Sequence, residues 1–280
     1  MEIEAKSDAR AANAHWGRSG LELSILEALA AAGKDTAALT IDDLAPVDQF
    51  HSGGKGATER LARLAQMRTG RRVLDVGGGL GGPARTLASQ FGSRVTVVDL
   101  TESYVRAGEA LTARLGLADR VTHRVGDALA LDVDGDAFDI IWTQNSGMNI
   151  ADKERLYAGF ARVLRSGGVL ALQEPMAGPV QPLIFPVMWA RDATMSFLRP
   201  PDEMRAVIEA AGFRVRAWDD VTAELAGPIS GADVPAHSIQ RIVMGEALDA
   251  ITRAGQRNRE ERRIAMIQAV LERTASAPPR

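Results

Sequence analysis

Val73-Leu74-Asp75-Val76-Gly77-Gly78-Gly79-Leu80-Gly81-Gly82-Pro83 is the stretch on which the rest of the chain is read. A short apolar run reads as a strand, and Ala84 to Phe91 reads as the helix that follows. Glycines between a strand and a helix permit positive φ and let a ligand approach the backbone without meeting a Cβ atom. The helix behind such a loop offers unpaired N–H groups and the positive end of its dipole. By itself the loop supports nucleotide binding and nothing narrower.

The acids around it narrow the reading. Asp75 ends the strand just before the glycines, where a carboxylate suits a cationic ligand better than a pyrophosphate. Val95 to Asp99 reads as a second strand, and Asp99 falls about 20 residues beyond the loop, where an acid can grip two ribose hydroxyls. Asp127, after the strand Val121 to Val125, is placed to accept from an adenine amino group. One such acid is as readily a cap or turn residue. Three at successive strand ends, on the carboxyl edge where open α/β sheets bind ligands, point to S-adenosylmethionine, a nucleoside with a sulfonium and an ammonium.

Outward from the loop the alternation continues. Ser103 to Leu115 reads as a helix, Phe138 to Thr143 as a strand, Lys153 to Leu164 as a helix closed by Ser166-Gly167-Gly168, and Val169 to Gln173 as a fifth strand. Strands alternating with helices of this length mean a parallel sheet built of βαβ units. Prolines and aromatics then mark an insertion over 175–200. Asp202 to Ala211 reads as a helix and Phe213 to Trp218 as a sixth strand. Residues 235–262 read as a charged C-terminal helix. Before the loop, 1–69 read as an N-terminal helical lid or cap, with an apolar stripe of Leu21, Leu23, Ile25, Leu26 and Leu29 and a second helix capped by Thr40 and Asp43. The expected organisation is this segment followed by a Rossmann-like domain over 70–280.

Composition sets limits. The chain has 280 residues, a net charge of −3, 46% hydrophobic and 25% charged residues, which is ordinary for a globular protein and gives no reason to expect nucleic acid. Without cysteine, disulfides, thiolate nucleophiles and Cys-based zinc sites are excluded. The four histidines are scattered, so no metal site is expected. The first twenty residues lack an apolar run and no segment approaches bilayer length, so a cytoplasmic, membrane-free protein is expected.

Asp75-Val76-Gly77-Gly78-Gly79, Val98-Asp99-Leu100, Gly126-Asp127-Ala128, Asp139-Ile140-Ile141-Trp142 and Leu164-Arg165-Ser166-Gly167-Gly168 resemble the motifs of class I S-adenosylmethionine-dependent methyltransferases over residues 70–220. The resemblance implies an α/β, Rossmann-like seven-stranded sheet whose last strand is antiparallel. On that ground residues 264–271, whose periodicity equally allows a helix, are expected to form the seventh strand. Val47 to Gly54, Gln144 to Lys153 and Phe185 to Ala190 resemble more narrowly the bacterial sarcosine/dimethylglycine- and sterol-type methyltransferases, in which the segment before the core closes on the methionine end of the cofactor. Gln49, His51 and Gly54 match that segment loosely. Asn145 departs from the pattern, which has histidine after the glutamine, and an amide cannot serve as a general base.

Cofactor contacts are therefore expected from Gln49, Asp75, Gly77, Gly79, Asp99, Leu100, Asp127, Ala128 and Gln144. His51, Asn145 and Glu174 are the candidates for a catalytic role. Asn149, Phe185, Met188, Trp189 and Arg191 are the candidates for holding a small-molecule acceptor, methylated at N, O or C. Methyl transfer from a sulfonium has a good neutral leaving group, so positioning can supply much of the acceleration. The alternatives are an NAD-dependent oxidoreductase, against which stand Asp75 and the lack of a Tyr-x-x-x-Lys pair, and a non-catalytic S-adenosylmethionine-binding protein. The N-terminal helices are also candidates for a homodimer face.

Overall fold

The computed structural model describes residues 16–225 and 234–274. The chain order is α1 (Leu21–Ala31), α2 (Ile41–Asp48), α3 (Gly54–Leu64), β1 (Arg72–Val76), α4 (Gly82–Phe91), β2 (Arg94–Asp99), α5 (Glu102–Arg114), β3 (Val121–Val125), β4 (Phe138–Gln144), α6 (Lys153–Val163), β5 (Leu164–Ala177), α7 (Pro201–Ala210), β6 (Phe213–Asp220), α8 (Ile239–Met244), α9 (Leu248–Glu260) and β7 (Ile264–Arg273). The strands form one seven-stranded sheet in the order β3-β2-β1-β4-β5-β7-β6. β7 runs antiparallel between β5 and β6, and the pairings among β1 to β5 are parallel. The expected seventh strand is therefore present.

The two-residue period of a strand sorts β1 onto both faces. Val73 packs with Leu61, Ala84, Leu87 and Val95 under α3 and α4. Leu74 and Val76 pack with Leu156, Tyr157, Phe160 and Ile208 under α6 and α7. A sheet covered on both sides needs such continuous apolar strands. A third cluster joins Leu21, Ile25 and Leu29 of α1 and Leu44 and Val47 of α2 to Tyr104 and Leu111 of α5 and to Ile239, Val243 and Leu248 of the C-terminal helices. Leu23, included in the apolar stripe by sequence, faces solvent at 64% exposure. The capping box is formed: Thr40 Oγ1 accepts from the Asp43 amide, and the Asp43 carboxylate accepts from the Thr40 amide.

Two boundaries differ from the sequence reading. β5 begins at Leu164, so Ser166-Gly167-Gly168 lie in the strand, and the β4–β5 register shifts between Phe138 and Ile140 to take them in. The helix expected over 235–262 breaks at Gly245 (φ 53°), where a short 3-10 turn separates α8 from α9. Among the described residues no helix is long and apolar enough to cross a membrane.

Strand order reverses between β1 and β4: β2 and β3 lie on one side of β1, β4 and β5 on the other. Ligands of open α/β sheets bind outside the carboxyl ends of the strands at such a switch point. The glycine loop leaves β1 there, and the segment after β4 faces it.

Candidate active site

A cavity of about 590 Å³ opens at the switch point, within the range of small-molecule and cofactor sites. Its walls include His51, Asp75, Gly77, Gly79, Asp99, Leu100, Asp127, Ala128, Gln144, Asn145 and Asn149, all expected from the sequence, together with Gly78.

The glycine loop is shaped by close contacts. Gly77 has φ +71°, and a Cβ there would stand 2.3 Å from Ser146 Cβ, so only glycine lets the loop meet the segment after β4. The Gly79 amide donates to Asp99 Oδ2 at 2.9 Å, and the Thr101 amide donates to Asp99 Oδ1 at 2.8 Å. Both carboxylate oxygens are thus oriented while each keeps acceptor capacity toward the cavity. Asp127 Oδ1 accepts from the Leu129 amide at 2.8 Å, which fixes the third acid as an Asx turn.

Asp75 is different. It is buried, and its Oδ2 has no hydrogen-bond donor among the described residues. Burial, and then the neighbouring Asp99 charge, push its carboxyl up to about 8. An orphaned carboxyl oxygen in a cavity wall is the arrangement a cationic ligand completes. With the glycine loop and the two oriented acids, these residues fit S-adenosylmethionine.

His51 lies in the wall but is tied into a buried amide network. Its Nε2 is 3.0 Å from Gln49 Oε1 and 3.1 Å from Thr58 Oγ1, and its Nδ1 is 3.2 Å from the Ser52 carbonyl and 3.5 Å from Gln144 Nε2. Thr58 Oγ1 and Trp142 Nε1 donate to Gln144 Oε1 at 3.1 and 2.8 Å, and Gln144 Nε2 reaches Gln173 Oε1 at 3.3 Å. Gln268 continues the network to Gln173 at 2.8 Å. Burial lowers His51 to about 4 despite the opposing Ser52 contact, so the imidazole is neutral at pH 7 with both ring nitrogens engaged. Gln49, expected to touch the cofactor, is outside the lining: it spans His51, Thr58 and Thr86 behind the wall.

Glu174, a catalytic candidate by sequence, is also outside the cavity. Its Oε1 accepts from the Gly147 amide at 2.9 Å, the Ser146 amide at 3.2 Å and Thr143 Oγ1 at 3.2 Å. Lys153 Nζ donates to the carbonyl of the same Gly147. Burial raises the Glu174 carboxyl and lowers the Lys153 ammonium to about 8. This pair clamps the loop after β4 from beneath. Asn145, in that loop, adopts φ 53°, a conformation asparagine tolerates better than most side chains. Its Oδ1 accepts from Gln173 Nε2 at 3.2 Å.

Apart from Phe197, the insertion is turned elsewhere. Phe185, Met188, Trp189 and Arg191 are not in the cavity wall. Trp189 packs with Met148, Val187 and Ala190, and Phe185 and Met188 lie against that cluster, while Arg191 is exposed. Asn149 both lines the cavity and holds the insertion, its Nδ2 donating to the Trp189 and Met195 carbonyls at 2.9 and 2.7 Å. The aromatic wall comes instead from Trp16, Phe50 and Phe197, joined by Tyr104, Ile150 and Arg155. Trp16 meets Phe50 edge-on at 5.4 Å. Of these, the sequence offers Phe197 as one of the insertion aromatics that could roof an acceptor pocket, and Phe50 and Ile150 lie in the quoted segments; Trp16, Tyr104 and Arg155 carried no signal.

A seven-stranded sheet with β7 antiparallel, a glycine loop at the switch point and acids at three strand ends define the class I S-adenosylmethionine-dependent methyltransferases. Residues 73–168 match the family model described as a methyltransferase domain. The chain is 30% identical over 207 residues to Methyltransferase GfsG of Streptomyces halstedii, covering 73% of this chain and 74% of that one. It is 29% identical over 193 residues to the sarcosine/dimethylglycine N-methyltransferase of Halorhodospira halochloris, covering 66% and 65%. The geranyl diphosphate C-methyltransferase of Streptomyces coelicolor A3(2), solved with S-adenosyl-L-homocysteine, shares the fold at a TM-score of 0.64 and 21% identity, covering 78% and 76%. The chain belongs to the S-adenosylmethionine-dependent methyltransferase family and is an enzyme of small-molecule methylation.

Proposed function

We propose that this enzyme methylates nitrogen, oxygen or carbon of a small acceptor with an apolar body, and that it works mainly by positioning. The observation that carries this reading is the composition of one cavity wall. It combines the strand-end acids and glycine loop with Trp16, Phe50, Ile150 and Phe197, and its one histidine has both nitrogens committed to protein partners.

Asp99, oriented by two backbone amides, is assigned the ribose hydroxyls, and Asp127 the adenine amino group. Leu100 and Ala128 are assigned to the walls beside the nucleoside, and Gly77 and Gly79 to the close backbone approach. Asp75 is assigned the ammonium. When bound, S-adenosylmethionine supplies a methyl on a sulfonium whose departing thioether is neutral. The chain's own residues then have to hold the acceptor in line and keep water out, which favours an aromatic rim over a placed base. Gln49, Gln144 and His51 support that rim as a rigid polar scaffold, and Glu174 with Lys153 fixes the loop carrying Asn145 and Asn149. Residues 16–69 act as the lid through Phe50 and His51.

The test is a transfer assay with methyl-labelled S-adenosylmethionine across amines, phenols, carboxylic acids and isoprenoids. Label is expected on acceptors with an apolar body. Transfer confined to small hydrophilic amines such as glycine overturns the acceptor assignment.

A further inference from the structure

The loop after β4 brings Asn145, Ser146 and Asn149 into the cavity wall. The donors of Ser146 and Asn149 are committed. Ser146 Oγ donates to the Val76 carbonyl at 3.2 Å, and Asn149 Nδ2 donates to the Trp189 and Met195 carbonyls. Asn145 is held at one end only. Its backbone amide donates to the Gln173 carbonyl at 2.8 Å, and its Oδ1 accepts from Gln173 Nε2 at 3.2 Å. Its Nδ2 has no acceptor among the described residues. The side chain is half-buried, and Nδ2 is not one of the fully buried atoms without a partner. An accessible donor is therefore left over in the wall.

Which end of that amide is free is set from outside the site. Nitrogen and oxygen of a side-chain amide are told apart by their partners. The run of partners starts at Arg60 on α3, whose guanidinium can only donate. Arg60 Nη1 donates to Gln268 Oε1 at 2.6 Å, which turns Gln268 Nε2 inward. Gln268 Nε2 donates to Gln173 Oε1 at 2.8 Å and to the Ala57 carbonyl at 3.0 Å. Gln173 Nε2 is thereby turned toward the loop, where it donates to the Ser52 carbonyl at 2.9 Å and to Asn145 Oδ1. The Ala57 and Ser52 carbonyls can only accept, so they agree with the guanidinium. Gln173 and Gln268 are fully buried, and turning either amide over would leave buried groups unpaired. The sense of the Asn145 amide follows: oxygen inward, N–H outward.

We infer that Asn145 is a specificity-determining residue, its Nδ2 donating to an oxygen lone pair of the acceptor (a carbonyl, hydroxyl or phenolate), with Gln173 as the positioning residue that holds the amide in that sense. The amide that cannot serve as a base thus serves in recognition. The next residue, Ser146, packs on Gly77, so the donor stands beside the glycine loop. An ammonium or amine N–H finds no acceptor at Asn145, because the amide oxygen is spent on Gln173. A neutral amide suits a neutral oxygen, whereas the cofactor's carboxylate is better met by a cation. This inference rests on the cavity seating the acceptor beside the cofactor.

The test is titration calorimetry of the full chain saturated with S-adenosylhomocysteine, using two probes with the same apolar body. 2-Acetylnaphthalene has an oxygen that only accepts, and 2-naphthylmethylamine has an ammonium that only donates. Asn145→Asp keeps the oxygen that Gln173 holds and replaces the donor with an acceptor. It is expected to weaken the ketone roughly tenfold, the range for a lost hydrogen bond, and to leave the affinity for S-adenosylhomocysteine little changed. A neutral ketone responds little to a distant charge, so its loss reads the donor. Gln173→Met, similar in length but without a donor, frees the Asn145 amide to turn over. It is expected to lower the ketone-to-ammonium affinity ratio as well, by less than Asn145→Asp does. A merely structural role would weaken both probes and the cofactor together. An unchanged ratio in either variant, or equal losses of both probes, overturns the inference. A loss of S-adenosylhomocysteine affinity in Asn145→Asp as large as that of the ketone gives the donor to the cofactor's carboxylate and overturns it too. Wild-type protein that binds S-adenosylhomocysteine but neither probe overturns the acceptor reading on which the inference rests.

Discussion

Asp75 enters the fold as an acid that its surroundings keep protonated. Burial and the Asp99 charge hold its carboxyl at about 8, above its unfolded value of 3.8. A raised acid pKa favours the protonated form in the folded state, so the free enzyme loses stability as pH rises from the unfolded value through the folded one. An ammonium docked beside it favours the carboxylate and pulls the pKa back down. Binding S-adenosylhomocysteine at pH 7 is therefore expected to release protons, up to about one per site. Calorimetry in buffers of different ionisation enthalpy measures this directly, and Asp75→Asn is expected to abolish the release. Proton uptake, or release that survives Asp75→Asn, contradicts the assignment. The acid itself was legible in sequence because a residue that ends a strand before a glycine loop has one place to go. The buried ion pair of Asp48 with Arg85 was not, because nothing local shows that α2 ends against Gly82.

At the scale of elements, the loop from Asn145 to Asn149 depends on what lies beneath it. Glu174 accepts from two of its amides, and Lys153 donates to its Gly147 carbonyl. Ser146 in turn packs on Gly77 and donates its Oγ to the Val76 carbonyl at 3.2 Å. A disturbance under the loop therefore reaches the glycine loop through one side chain. Glu174→Gln is expected to cost about 1–3 kcal/mol of stability, the range for weakening buried hydrogen bonds to a charged group, together with a fall in kcat. Lys153→Met, similar in length but without a charge or donor, is expected to act in the same direction. Thermal unfolding alongside steady-state kinetics checks both, and unchanged kcat in either variant contradicts the clamp. Sequence marked Glu174 as catalytic from its residue type at a strand end. It could not show that the side chain turns down into the loop rather than up into the cavity. The apolar insertion misled for the same reason. Phe185, Met188 and Trp189 needed burial, and burial against Met148 satisfied it as well as burial around an acceptor.

At the scale of the molecule, the site is assembled from distant segments. Trp16 and Phe50 come from before the sheet, the acids from β1 and β2 and the turn after β3, and Phe197 from the insertion before α7. If the aromatic rim holds the acceptor and the strand-end acids hold the cofactor, the two functions separate on mutation. Phe50→Ala and Phe197→Ala are expected to raise KM for the acceptor about tenfold, as removal of a large apolar contact does, with little change in the affinity for S-adenosylhomocysteine. Parallel losses in both would place these rings against the cofactor. The parallel pairing of β1 to β5 followed from strand–helix alternation, since parallel strands need crossovers, but the order that sets β4 beside β1 is not contained in that alternation. The seventh strand was legible only through family resemblance, because Ile264 to Leu271 is apolar except for Gln268 and lies between two strands, which removes the alternation that separates strand from helix. The rim was legible only in part, through Phe197 in the insertion and Phe50 beside His51, because its aromatics are scattered across residues 16 to 197.

The measurement that bears most directly on the central claim compares S-adenosylhomocysteine binding by wild type and Asp99→Ala, with thermal unfolding of both as a control. Asp99 is held by the Gly79 and Thr101 amides at the end of β2, and no other acid is oriented by the glycine loop itself among the described residues. The account predicts micromolar binding by wild type and no measurable binding by a folded Asp99→Ala. Retained affinity in the variant, or stronger stabilisation of wild type by NADH than by S-adenosylmethionine, contradicts it.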